Sequence, residues 1–157
     1  MAKLYTPQAI ANEFIVIAGK NKLTPMKVQK LVYFAHGWHL AALNKPLIDE
    51  TIEAWQFGPV ISSLYHDLKY NGSGGINSLI DSGFGVNGRI DSDDANTLSL
   101  LKNIWNVYGK YTGGQLSIMT HNKGTPWQNT YRKDLPRGTD IPNDKIKAYF
   151  DKLNHKT

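Results

Sequence analysis

The stretch from Pro25 to Leu43 constrains this chain more than any other part of it. Thr24-Pro25 reads as a helix start, because Thr can accept a bond from a first-turn amide and Pro has no amide to leave unpaired. Val28, Leu31, Val32, Ala35, His39 and Ala42 then recur as one stripe, and Tyr33, Phe34, Trp38 and Leu40 cover most of the remaining circumference. A helix apolar on nearly every side needs neighbours all round, so it belongs in the middle of a bundle. Lys30 and Gly37 fall together on the least apolar side and are expected to be its least buried points. Glycine costs about 1 kcal/mol of helix propensity relative to alanine, so a close neighbour is expected at Gly37.

The rest of the chain supplies partners for that helix. Thr6-Pro7 repeats the start signal ahead of Ile10, Phe14, Ile17 and Ala18, and Asn21 to Leu23 break the helix. Asn44-Lys45-Pro46 is a turn. Thr51 to Trp55 alternates and reads as extended, ending at Gly58-Pro59. Pro59 is placed to open a third helix carrying Val60, Ile61, Leu64, Tyr65 and Leu68. Asn71 to Gly75 is a loop, and Phe84 to Arg89 reads as a brief strand with turns. Ser92 is expected to cap a fourth helix, with Asp93 and Asp94 at the positive end of its dipole. Leu98, Leu101, Ile104, Trp105 and Tyr108 mark its buried side. Thr112 and Thr125-Pro126 start two short helices, and Asn143 begins the last, with Ile146, Tyr149, Phe150 and Leu153. The expected fold is mainly α: a single compact bundle of about six or seven helices with a short β-hairpin or extended segments, residues 1–157 forming one domain.

Composition narrows the function classes. The chain is 41% hydrophobic and 20% charged, ordinary for a packed domain. No apolar run approaches the roughly 20 residues that span a bilayer, so no membrane insertion is expected. The N-terminus lacks the order of a signal peptide. With no cysteine there is neither a disulfide framework nor a thiolate metal site, and a cytoplasmic protein is expected. The net charge of +5 is uneven: residues 1–48 sum to +5, 49–119 to −4 and 120–157 to +4. The acidic middle argues against a continuous nucleic-acid footprint.

Candidate chemistry is thin. His36 and His39 share a helix face, but no third ligand at a recognisable spacing makes a metal site of them, and His39 is expected to be a hydrogen-bonded core histidine. Asp91, Asp93 and Asp94 lack the glycine and terminal Glu of a calcium loop, and Gly72 to Gly75 lacks the Lys-Ser/Thr of a phosphate loop. Neither metal nor cofactor is expected. Ser117 and His121 are four apart and share a face, which admits a hydrolase-like nucleophile and base. The competing reading is that Thr120 and His121 end a helix, His121 reaching the last carbonyls. Four Trp and eight Tyr exceed what so small a core requires, and such rings are common anchors at protein interfaces.

Several blocks, in order, resemble one family. They are Met26 to Gly37, Lys45-Pro46-Leu47 leading into Glu53-Ala54-Trp55-Gln56-Phe57-Gly58-Pro59-Val60, then Leu64-Tyr65. Leu116-Ser117 with Thr120-His121, Pro126-Trp127, and the tail from Ile146 to Phe150 complete them. Together they resemble the Panacea domain of SocA-like antitoxins, often phage- or prophage-associated, over about residues 7–150. The resemblance implies a non-enzymatic antitoxin that neutralises a cognate toxin protein by direct binding. In the member that gives the family its name, it implies instead an adaptor delivering its toxin to the ClpXP protease. The alternatives are a phage-encoded adaptor or inhibitor acting on host proteolysis or defence proteins, and the Ser117–His121 hydrolase. Lys30, Trp55, Phe57, Gly58, Pro59 and Tyr65 are the candidate partner-binding residues, with Ser117, Thr120, His121 and Trp127 as secondary candidates. Equally, Gly58-Pro59 sets a turn while Trp55 and Tyr65 plug the bundle.

Overall fold

A computed structural model describes residues 3–155 except Ser82, Phe84, Val86, Pro136 and Arg137. Seven α-helices and one small sheet are found among them. Helix α1 runs Pro7–Ala18 and α2 runs Pro25–Leu43. Thr6 accepts from the Ala9 amide and Thr24 from the Lys27 amide, so both Thr-Pro signals cap as read. Asn44 ends α2 in the left-handed conformation.

Strands β1 (Ile52–Trp55) and β2 (Gly58–Val60) form an antiparallel hairpin, and β3 (Thr139–Ile141) pairs with the other edge of β1. Pro59 therefore lies within a strand and does not open a helix. It is tolerated because the outer edge of β2 needs no strand partner at that amide. Helix α3 begins later, at Ser62, and runs to Leu68, followed by a 3₁₀ turn over Lys69–Asn71. Helices α4 (Ala95–Tyr108), α5 (Gly113–His121), α6 (Pro126–Thr130) and α7 (Asn143–His155) complete the bundle. Asp94, not Ser92, caps α4, because its carboxylate reaches both the amide and the hydroxyl of Thr97. Thr112 and Gln115 cap α5 reciprocally. Of the strand expected at Phe84 to Arg89, Phe84 and Val86 lie outside the described residues; an isolated bridge joins Asp81 to Asn87.

Helix α2 is the centre, in contact with α1, α3, α4, α5, α7 and β2. Val28, Leu31, Val32 and Ala35 are wholly buried, while Ala42 emerges at the exposed last turn. The expectation for Lys30 and Gly37 is overturned: both are buried, Lys30 to 3% exposure. A methyl group on Gly37 would sit 2.1 Å from the Phe150 ring, so the missing side chain is filled by α7. Phe150 also meets Tyr33, Phe34 and Trp38 edge-on or tilted. His36 is neutral by its bonding: Nδ1 accepts from the Leu47 amide, so Nε2–H donates to Asn143 at the start of α7. Burial pushes its pKa down. His39 donates from Nδ1 to the Lys45 carbonyl and is the core histidine expected. The long connection before α4 is tied to α1 by Asn12, which bonds Ile80 and Gly88, and by the Glu13–Arg89 ion pair.

Candidate partner-binding site

The hairpin between β1 and β2 carries one edge that no strand covers. Side chains from the helices take carbonyls one after another round the hairpin, at the end of β1, in the turn, in β2 and just past it. The Trp127 indole on α6 donates to the Trp55 carbonyl at 2.5 Å. The Ser117 hydroxyl on α5 donates to the Phe57 carbonyl at 2.8 Å. The Lys30 ammonium on α2 donates to the Pro59 carbonyl at 2.9 Å. Gln29, the preceding residue on α2, both donates to the Ile61 carbonyl and accepts from the Ile61 amide. Carbonyls at residues 55, 57, 59 and 61 are thus satisfied by four side chains from three helices. An open strand edge is otherwise a template for indiscriminate pairing.

The turn itself is tight. Gly58 has φ +123°, a region favouring glycine, and an added methyl would lie 3.0 Å from Lys30 Nζ and 3.2 Å from Thr120 Oγ1. Thr120 turns its own hydroxyl to the Ser117 carbonyl, and His121 Nδ1 donates to that same carbonyl. His121 stands against the Trp127 ring at 5.3 Å, and Trp127 stacks on Tyr131 at 4.8 Å. On the other side Trp55 donates to Glu53 and meets Tyr65 edge-on at 4.8 Å. All ten residues singled out from the sequence therefore converge on one hairpin, seven of them through direct bonds to its backbone or as part of that backbone. Gln29 and Glu53 were missed. The signal for Gln29 was present: a polar pair, Gln29-Lys30, inside a helix otherwise apolar all round must find buried partners.

The convergence separates scaffold from surface. Gly58, Pro59, Ser117 and Thr120 are buried, whereas Phe57 is 65% exposed at the tip. Beside it lies a cleft of about 630 Å³ bounded by α2, α3, the hairpin and residues 131–135. Lys30 stands in its wall, and burial pushes that ammonium down to about 7 from the ordinary lysine range.

As nucleophile and base, Ser117 and His121 do not meet. The Ser117 hydroxyl is spent on the Phe57 carbonyl, and His121 Nδ1–H points at the Ser117 carbonyl rather than at its hydroxyl. The helix-ending reading of His121 is the one observed. Among the described residues no group of three His, Asp or Glu is disposed to hold a metal ion, and no helix is long and apolar enough to cross a membrane.

The helical scaffold thus presents a braced turn with a cleft beside it. The sequence profile of the "Antitoxin SocA-like, Panacea domain" family matches residues 28–128, and the chain belongs to that family. It is similar to Antitoxin SocA of Caulobacter vibrioides (strain NA1000 / CB15N), 28% identical over a 144-residue alignment that covers 82% of this chain and 72% of the relative. No solved structure matches it.

Proposed function

We propose that this protein is an antitoxin that neutralises a cognate toxin by direct contact, and that the Trp55–Pro59 turn with the adjoining cleft is the contact surface. The carrying observation is the contrast at Phe57. Its carbonyl is fixed by the buried Ser117, and the carbonyls at 55 and 59 by the half-buried Trp127 and the buried Lys30, while Phe57 stands 65% exposed. Aromatic rings held rigidly at the surface are efficient interface anchors, because little rotamer freedom is lost when a partner covers them. Membership of an antitoxin family supports the reading, since an antitoxin acts on a toxin.

The test is genetic and physical together. The neighbouring reading frame is expressed alone and with this protein; growth arrest relieved by co-expression, with co-purification of the two products, is the expected result. Phe57→Ala should lose rescue while its melting curve stays within about 0.5 kcal/mol of the parent, because an exposed ring contributes little to folding. Lost rescue accompanied by lost folding would instead make Phe57 a structural residue. Rescue that disappears in cells lacking ClpXP would mark the adaptor mode in place of neutralisation by binding.

A further inference from the structure

The cleft beside the turn has a composition that specifies its occupant. Four cations line it: Lys30, Lys69, Arg132 and Lys133. Among the described residues no Asp or Glu lines it, and none of these four cations forms an ion pair with a described residue. Between the charges the walls are apolar. Met26, Phe57, Tyr65 and Leu135 are all large hydrophobic residues left exposed, and all four line this same cleft. Exposed apolar side chains gathered round a concavity mark an interaction surface.

Lys30 sharpens the chemistry. Its ammonium has three hydrogens, and the structure gives it one acceptor, the Pro59 carbonyl. At 3% exposure it has little water to draw on. An anion entering the cleft would complete its bonding, and charge-assisted bonds in desolvated surroundings are the strong ones. We propose that the cleft receives an acidic, apolar segment of the partner protein, a carboxylate side chain bonding Lys30 while flanking apolar side chains cover Phe57, Tyr65 and Leu135. This rests on the antitoxin reading for its partner, and deepens it by naming the chemistry of the contact. A nucleic acid is the weaker fit, because a phosphate backbone needs exposed cations tracking along a groove. Here one cation is sunk in an apolar wall.

The probes are three capped pentapeptides: acetyl-Leu-Glu-Phe-Glu-Leu-amide and its counterparts with Gln or Lys in place of both Glu. A single-stranded oligothymidine is the fourth. Binding is read from amide and indole signals of the full-length, isotope-labelled protein by NMR. The Glu peptide should shift Trp55, Phe57 and Lys30 signals and bind about tenfold more tightly than the Gln peptide, the scale of one charge-assisted bond. Lys30→Met should remove that preference and leave the weaker apolar binding. Arg132→Gln, at an exposed position, guards against a Lys30 variant that fails to fold and should reduce the preference in part. Equal affinity for the Glu and Gln peptides, shifts located elsewhere, no binding of any peptide, or a preference for the oligonucleotide each overturns the proposal. The two readings fail separately. Peptide preference without any toxic neighbouring product leaves the cleft assignment standing and the antitoxin reading lost, and rescue without peptide preference does the reverse.

Discussion

Lys30 shows how a single residue can carry scaffold and site at once. Its stem runs through the apolar interior of the bundle and its head fixes Pro59. The ammonium has a folded pKa near 7, displaced downward by burial from an unfolded value in the ordinary lysine range of about 10.5. Between those values the unfolded chain holds a proton that the folded chain has released, so stability rises with pH across that window. Below it both states are charged and the cost of burying the charge is fully felt. The slope is at most about 1.4 kcal/mol per pH unit for one proton. Lys30→Met keeps the stem and removes the titration. Its urea midpoint should exceed that of the parent at about pH 6, with the advantage shrinking toward about pH 9. Parallel curves for the two proteins would contradict the burial of the charge. Tyr33, also on α2, offers a second check, because its buried hydroxyl has no partner among the described residues. Tyr33→Phe removes an unpaired polar group without changing shape and should leave stability equal or raise it by about 1 kcal/mol in thermal unfolding.

The hairpin is the element in which legibility and its limits are clearest. Thr caps, three of them Thr-Pro pairs, were readable as helix starts because capping and proline geometry are local matters, and Thr6, Thr24, Thr112 and Thr125 all behave so. The same logic misread Pro59, since a proline after a glycine signals a helix start or an edge strand equally well. What decided it was the pairing of Ala54 with Pro59, a non-local fact. Strand β3 was invisible for the same reason: three residues acquire their conformation only by lying against Ile52, Glu53 and Ala54. Burial of Lys30 was misread because its place on the least apolar side was weighed above the Gln29-Lys30 pair's need for buried partners. By contrast the candidate residues were named together because they lie in blocks that resemble the family, although nothing in their spacing said that Ser117 and Trp127 would reach the hairpin. Those two bonds make a prediction at this scale. Ser117→Ala should leave the Phe57 carbonyl unpaired and cost about 1–2 kcal/mol. Trp127→Phe should remove the indole's bond to the Trp55 carbonyl, and either change should speed hydrogen exchange at the hairpin amides more than in α2. Equal acceleration throughout the protein would mean that the hairpin has no local opening of its own.

At the scale of the whole molecule the arrangement around α2 sets what can unfold separately. Helices α1, α3, α4, α5 and α7 each touch α2, so no helix among these five can leave without exposing part of its surface. Such a hub should unfold as one cooperative unit, as small single domains usually do. The most demanding place to ask is the contact of α7 with α2, because α7 lies at the end of the chain and could in principle peel away. Gly37 is the lever. Replacing it with alanine puts a methyl group 2.1 Å from Phe150, inside any tolerable contact. Phe150 is itself packed among Tyr33, Phe34 and Trp38, so it has little room to retreat. Overpacking of this kind costs about 1–3 kcal/mol. If the bundle is one unit, Gly37→Ala lowers the whole transition, and far-ultraviolet and tryptophan signals still fall together in a denaturant titration. If α7 is a separable unit, the same variant yields two steps: an early change in the environment of Trp38, then the main loss of helix. The first outcome is the one expected, because His36 clasps Asn143 at the start of α7 while Phe150, about two turns further along α7, plugs the neighbouring Gly37. The tail is thereby held at two points by the same central helix.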